Sequence, residues 1–219
     1  MFLRIADALT ETQVDSIVER LSVPGLFEDG ASTAGWHARA VKHNEQARTD
    51  TLTEALAAEV TAALLAHPVF ASAARPKKFV RVLFSRYRPG MAYGTHVDDA
   101  LMDGERTDLS FTLFLSDPAT YEGGALIVEE PFGDRRIRLN RGELILYPSG
   151  SLHRVEPVAR GERLAVVGWV RSVVRDAEAR EMLFDLDQAV AAARTPDGAS
   201  RVLDLLLKTR ANLLRRWAE

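Results

Sequence analysis

Thr10-Glu11-Thr12-Gln13 has the form of a capping box, and Val14, Ile17, Val18 and Leu21 follow at the spacing of one helix face. This predicts a first helix to about Ser22, stopped by Pro24-Gly25. A second helix is expected to open between Thr49 and Thr51, with Leu52, Leu56, Val60 and Leu64 on one stripe, and to close at His67-Pro68. The intervening Ala34 to Gln46 has no clear period. From Lys78 the period becomes two: Val80, Val82 and Phe84 alternate with Arg81, Leu83 and Ser85, as in a strand. Leu109, Phe111, Leu113 and Leu115 alternate with Ser110, Thr112, Phe114 and Ser116, and further strands are predicted at Ala125 to Glu129, Arg135 to Leu139, Glu143 to Tyr147, His153 to Val158 and Leu164 to Val170. Gly123-Gly124, Gly133-Asp134, Asn140-Arg141-Gly142 and Arg160-Gly161 punctuate them as turns. Strands so close together, without helices between them, predict an antiparallel sandwich or barrel such as a jelly roll. Helical spacing returns over Asp176 to Glu219, with Met182, Leu183 and Leu186 on one helix and Val202, Leu205, Leu206 and Leu213 on a second, split by Thr195-Pro196-Asp197-Gly198.

The expected fold is therefore mainly β with flanking helices (α+β): residues 1–77 as helical support, 78–174 as the strand core and 175–219 as a C-terminal helical extension. The apolar stripes of both helical ends are expected to pack outside the core, with the C-terminal pair alternatively buried between the subunits of a homodimer. At 219 residues, 47% hydrophobic and 27% charged, the chain has the balance of a soluble globular protein. A net charge of −3 without a basic cluster argues against nucleic-acid binding. No stretch approaches the ~20 apolar residues of a membrane span, and Met1 to Thr10 lacks the pattern of a secretory signal. With 0 Cys, disulfides, thiolate nucleophiles, Cys-ligated zinc and iron–sulfur clusters are excluded together, and a cytoplasmic location is expected. Any metal must be held by His, Asp or Glu.

His96-Val97-Asp98 follows a Gly-rich turn, and His153 lies in the later strand region. Residues two apart on extended backbone point to the same side, so His96 and Asp98 can reach one point, and an imidazole from another strand would complete one face of an octahedron. That is the ligand set of non-haem Fe(II) oxygenases. The same residues fit a zinc hydrolase, or no metal at all, with His96 capping a turn, Asp98 in an Asx-type bond and His153 beside a strand. Arg163, on the next strand of a proposed hairpin, has a planar fork that matches the distal carboxylate of a dicarboxylic acid such as 2-oxoglutarate; a surface strand charge is its ordinary alternative.

The chain resembles the bacterial PKHD-type hydroxylases, within the prolyl 4-hydroxylase-like Fe(II)/2-oxoglutarate-dependent dioxygenases. The resemblance runs through Val41-Lys42-His43-Asn44-Glu45-Gln46, Arg86-Tyr87, Gly90 to Asp98, Arg106-Thr107-Asp108-Leu109-Ser110 and Thr112 to Leu115. It continues in Tyr121-Glu122-Gly123-Gly124, Leu146-Tyr147-Pro148-Ser149, Ser151 to Val155 and Leu183-Phe184-Asp185-Leu186-Asp187. It implies a double-stranded β-helix core, iron at His96, Asp98 and His153, 2-oxoglutarate on Arg163, and ascorbate (vitamin C) dependence. It also implies consumption of 2-oxoglutarate and O₂, release of succinate and CO₂, and hydroxylation of an unidentified protein or small-molecule substrate. Tyr87 resembles the tyrosine that contacts the cosubstrate in related hydroxylases, with a core tyrosine as the equal alternative; Tyr147 and Ser149 are weaker candidates. Met102, where the family often carries an arginine, and His37, in place of a glutamine, depart from the pattern and bear on substrate identity. Lys42, Asn44 and Gln46 fit either a substrate-cleft wall or a solvated edge strand. His67 reads as a helix-end cation, and Arg210, Arg215 and Arg216 as a solvated helix face. A cupin-type metal-binding sensor without enzymatic activity is the rival from another functional class.

Overall fold

A computed structural model describes residues 1–33, 35, 39–194 and 200–219. Its strands are β1 (Leu3–Ile5), β2 (Phe27–Asp29), β3 (Lys42–His43), β4 (Glu45–Ala47), β5 (Pro76–Tyr87), β6 (Ala92–His96), β7 (Leu101–Met102) and β8 (Glu105–Arg106). They continue as β9 (Leu109–Phe114), β10 (Glu122–Gly123), β11 (Leu126–Val128), β12 (Arg135–Ile137), β13 (Leu144–Pro148), β14 (His153–Val155), β15 (Val158–Arg160) and β16 (Arg163–Ser172). The helices are α1 (Glu11–Leu21), α2 (Thr51–Ala66), α3 (Pro68–Ala74), α4 (Ala177–Ala192) and α5 (Arg201–Trp217).

Two antiparallel sheets face each other as a jelly roll: a seven-stranded one in the order β1-β13-β9-β16-β5-β4-β2 and a five-stranded one in the order β12-β11-β14-β6-β3. The two-residue period dictates this layering. All six residues of β9 are buried because the strand has two covered faces: Leu109, Phe111 and Leu113 join a core with Leu56, Val60, Leu64 and Phe70 of the helices, while Phe114 turns inward to Tyr87, Leu126, Val128 and Tyr147 between the sheets. Phe84 of β5 likewise faces the helices, which puts its neighbours Leu83 and Ser85 on the inner side.

The expected α1 is present with its capping box: Gln13 N–H donates to Thr10 Oγ1 at 3.3 Å and Thr10 N–H to Gln13 Oε1 at 2.8 Å. Its Val14, Ile17 and Leu21 are buried. The α2 stripe buries Leu56, Val60 and Leu64, but the chain then turns straight into α3, which the sequence reading missed. Pro68 occupies the first turn of that helix, where its missing N–H costs nothing, and His67 Nδ1 accepts from Phe70 N–H at 3.4 Å. His67 thus ends α2, as expected, with its backbone N–H on Ala63 O, and also starts α3 with its side chain as acceptor. The aperiodic Ala34 to Gln46 contributes β3, the edge strand of the smaller sheet, and most of β4, which lies between β5 and the edge strand β2 of the larger one, and β1 pairs with β13.

The helices of both ends pack outside the strands, but residues 1–77 are not helical support alone, since β1, β2, β3 and β4 join the two sheets through backbone pairing. In α4, Leu183 is buried against Leu213, Leu214 and Trp217 of α5, whereas Met182, Val202 and Leu205 stay exposed, so the packed stripe is rotated from the one read off the sequence. Arg210, expected on a solvated face, reaches Asp187 of α4; that carboxylate also accepts from the Ser72 hydroxyl and, at 2.6 Å, from Arg75 Nη2 of the α3 end. His37 and the Thr195 to Gly198 break lie outside the described residues. Among the described residues no single helix is long and apolar enough to cross a membrane.

Candidate active site

His96 ends β6 and His153 begins β14, and the two are direct cross-strand partners with ring centroids 4.2 Å apart. Each ring is aimed by its own backbone: His96 Nδ1 lies 2.9 Å from Gly94 O, and His153 Nδ1 2.9 Å from Ser151 O. A carbonyl only accepts, so both Nδ1 atoms carry a proton and each Nε2 is the atom left to bind a metal through its lone pair. Those atoms stand 4.0 and 3.9 Å from Asp98 Oδ1, beyond hydrogen-bond range yet close enough for one small cation to touch all three. Burial, reinforced by the neighbouring His153, lowers the His96 pKa to about 4, so its imidazole is neutral.

The sequence placed Asp98 on extended backbone beside His96; in fact β6 ends at His96 and Asp98 sits in the following connection. Its orientation comes from another strand. Ser110 of β9 donates its hydroxyl proton to Asp98 Oδ2 at 2.5 Å, leaving Oδ1 toward the imidazoles, and the Ser149 hydroxyl lies 2.9 Å from Ser110 Oγ. Ser110 is a positioning residue that the sequence reading quoted without a role. Its signal was its place on the inward-facing period of β9, where the buried Ser110 and Thr112 are polar beside the apolar Phe114. Tyr93 was missed as well: its ring stacks on His96 at 3.7 Å and 13°. Burial raises the pKa values of Tyr87, Tyr93 and Tyr147, so all three remain phenols.

Arg163 is not on a hairpin partner of β14, as the spacing suggested, because β15 intervenes; it opens β16 in the other sheet, opposite Tyr87. It is 1% exposed, its guanidinium lies 5.2 Å from each of the Tyr87 and Phe114 ring centroids, and no ion pair to it is present among the described residues. A buried cation of this kind calls for an anion from outside the chain. Gly124 makes room for it: at φ +61°, a Cβ there would stand 3.1 Å from Arg163 Cδ and 2.9 Å from Val158 Cγ2.

One cavity joins these groups. It is lined by the triad, Arg163, Tyr87 and Tyr147, and also by Lys42, Asn44 and Gln46, so the two-residue alternation of that segment is a cleft wall and not a solvated edge. Lys42 Nζ donates to Gln46 Oε1 at 3.0 Å and Gln46 Nε2 to Ser85 Oγ at 3.3 Å. Burial lowers the Lys42 pKa to about 8, with Arg81 adding to the effect against the opposing pull of Asp98 and Asp29. Met102 lines the rim, from a tight β7–β8 hairpin whose turn residues Asp103 and Gly104 both have positive φ.

Two imidazoles and a carboxylate with open space beside them suit an oxygen- and nitrogen-loving divalent ion such as Fe(II), and the buried guanidinium suits a carboxylate in the same cavity. The comparisons agree. Residues 82–171 match the 2OG-Fe(II) oxygenase superfamily and residues 177–219 the PKHD-type hydroxylase C-terminal domain. A PKHD-type hydroxylase of Maricaulis maris is 53% identical over 219 residues, and one of Parvibaculum lavamentivorans 52% identical over 219, each covering 100% of both chains. The fold is similar to a Pseudomonas putida prolyl-4-hydroxylase (TM-score 0.55, 20% identity, 78% of this chain and 92% of that one). It is also similar to a Trichoplax adhaerens prolyl hydroxylase solved with a hypoxia inducible factor peptide (TM-score 0.56, 16% identity, 83% and 86%). These findings decide against the non-enzymatic sensor: the chain belongs to the PKHD-type hydroxylases of the 2OG-Fe(II) oxygenase superfamily and is an Fe(II)- and 2-oxoglutarate-dependent dioxygenase.

Proposed function

We propose that His96, Asp98 and His153 hold the iron, that Arg163 and Tyr87 receive the distal carboxylate of 2-oxoglutarate, and that the enzyme hydroxylates a C–H bond of a substrate entering past Lys42 and Met102. The observation that carries this is the convergence of two Nε2 lone pairs and Asp98 Oδ1 on one point, with every other polar atom of the three side chains turned to a partner of its own or, at Asp98 Oδ2, to Ser110. The bound iron, with 2-oxoglutarate and O₂, supplies the oxidising power, releasing succinate and CO₂. Ascorbate belongs in the assay as an accessory.

The protein's own share is positioning. Backbone carbonyls fix both imidazoles in the tautomer that offers Nε2, which spares the rotamer search otherwise needed when a metal binds. Ser110 holds Oδ2 so that Asp98 presents a single oxygen. Between the Tyr87 and Phe114 rings the Arg163 fork is shielded from water, and a bidentate carboxylate bond there is worth more than at the surface. Leu126 and Val155 furnish apolar wall near the triad.

The test is metal binding in single variants. His96→Ala, Asp98→Ala and His153→Ala should each abolish tight Fe(II) binding and 2-oxoglutarate turnover, and Asp98→Glu should come close to doing so, because the longer arm moves the oxygen by about one C–C bond. Full activity in any of the three alanine variants overturns the assignment.

A further inference from the structure

The register of the large sheet lays one row of inward side chains across the cavity. Tyr147 of β13 is opposite Ser110 of β9, Ser110 is opposite Trp169 of β16, and Trp169 is opposite Arg81 of β5. The row begins at the triad, since the Tyr147 ring lies 5.3 Å from His153 and Ser110 holds Asp98. With strands about 4.8 Å apart, it carries Trp169 and then Arg81 outward to roughly 10 Å from Ser110. Both line the cavity, on the side away from Arg163, which is the opposite end of β16. Trp169 Nε1 is a buried donor with no acceptor among the described residues. Lys42 lines the same space and experiences the repulsion of Arg81. Trp169, Arg81 and Lys42 all donate; of the carboxylates that line the cavity, Asp98 is held at the triad by Ser110 and Asp99 lies on the connection after β6, while Asp103, 2.8 Å from Arg81, stands on the exposed tip of the β7–β8 hairpin.

Resting on the site proposed above, we infer that the substrate carries a carboxylate, seated at the outer end of this row on the Arg81 guanidinium and the Trp169 indole N–H, with Lys42 across the cavity. Such a group would satisfy the orphaned indole N–H and take the bidentate fork of Arg81 in place of Asp103. Asp103 is then a stand-in that the substrate displaces. The carbon to be oxidised and the carboxylate are held at the two ends of one row, which makes Arg81 a specificity-determining residue for where on the substrate oxidation occurs.

The experiment uses the full chain loaded with Fe(II) and saturating 2-oxoglutarate without oxygen, so that the Arg163 end is filled. Linear monocarboxylates from butanoate to octanoate and their primary amides are titrated in, followed by tryptophan fluorescence and calorimetry. A capped peptide with one glutamate runs beside them to tell a protein-borne carboxylate from a free acid. Acids should bind and amides at least tenfold more weakly; Arg81→Gln should weaken acid binding at least tenfold, and Trp169→Phe severalfold. Asp103→Asn, which keeps a residue tolerant of the positive φ at that turn, should instead tighten acid binding severalfold by removing the competing anion. Equal binding of acids and amides, no binding of any acid, or weakening by Asp103→Asn overturns the inference. Failure of wild type to bind 2-oxoglutarate at the first step overturns the site reading itself and is seen separately.

Discussion

Ser110→Ala isolates the positioning of the metal-facing carboxylate from the carboxylate itself. Ser110 is 2% exposed and its hydroxyl donates to Asp98 Oδ2 at 2.5 Å, a hydrogen bond to an ionised group in a desolvated place. Bonds of that type are worth roughly 1.5–3 kcal/mol, which converts to about 10-fold to 150-fold in an equilibrium that depends on it. Part of this stabilises Asp98 whether or not metal is bound and appears as lost fold stability. The part that holds Oδ1 toward the imidazoles appears as metal affinity, and outer-shell partners of ligands typically account for about 10-fold to 100-fold. The expected outcome is therefore a 10-fold to 100-fold weaker Fe(II) affinity, measured anaerobically by competition with a chromophoric chelator, while 2-oxoglutarate affinity at saturating iron changes little. Ser149→Ala, one hydroxyl further out, should have a smaller effect. If Ser110→Ala binds Fe(II) within twofold of wild type while Asp98→Ala abolishes binding, the carboxylate is oriented by something else and the reasoning fails.

Arg163→Ala should leave iron bound but raise the 2-oxoglutarate requirement by about 30-fold to several-thousand-fold, from the roughly 2–5 kcal/mol cost of unpairing a buried charge; Arg163→Lys should recover only part, and titration of the anaerobic Fe(II) protein by its visible band reads both. Gly124→Ala forces a Cβ against Arg163 and Val158 at a positive φ, and should weaken 2-oxoglutarate in the same titration without affecting Fe(II). His96 is held neutral, so between pH 6.5 and about 4 the unfolded metal-free chain binds more protons than the folded one; its stability should fall through that window by up to about 3 kcal/mol, and denaturation of His96→Gln should show a flatter pH dependence. Asp187→Asn breaks the junction of Ser72, Arg75 and Arg210 and should destabilise the C-terminal helices by roughly 2–3 kcal/mol in denaturant melts, with Fe(II) binding unchanged in the folded protein.

What was legible in the sequence was what depends on period and on chemistry that leaves few alternatives. The inner and outer faces of β5 and β9 follow from strict alternation, and α1 and α2 from apolar stripes with capping residues, because burial on one face must recur at the period of the element. His96, Asp98 and His153 stood out because a cysteine-free chain has few other ways to hold a metal, Arg163 because a planar fork shortly after His153 matches the distal carboxylate of an oxo acid, and Tyr87 because its block resembles a family. Cross-strand register was illegible. Nothing local says that Ser110 reaches Asp98 or that Trp169 and Arg81 fall in its row, since those neighbours are fixed by pairings between strands far apart in sequence. The short α3 was hidden because Pro68 reads equally as a helix stop and a helix start. The rotated stripe of α5 reflects a helix with apolar residues on more than one side, where packing against Leu183 selects the buried face.

The central claim is that one metal ion and one dicarboxylate share the cavity, the first on His96, Asp98 and His153 and the second on Arg163. Its most direct test is an oxygen-free crystal structure of the full chain with Mn(II), as a redox-inert stand-in for iron, and 2-oxoglutarate, with the metal located by its anomalous signal. The account predicts a single strong peak touching Nε2 of His96, Nε2 of His153 and Oδ1 of Asp98, and the distal carboxylate of 2-oxoglutarate bonded to the Arg163 guanidinium. A peak elsewhere, or 2-oxoglutarate bound with its distal carboxylate away from Arg163, would contradict it.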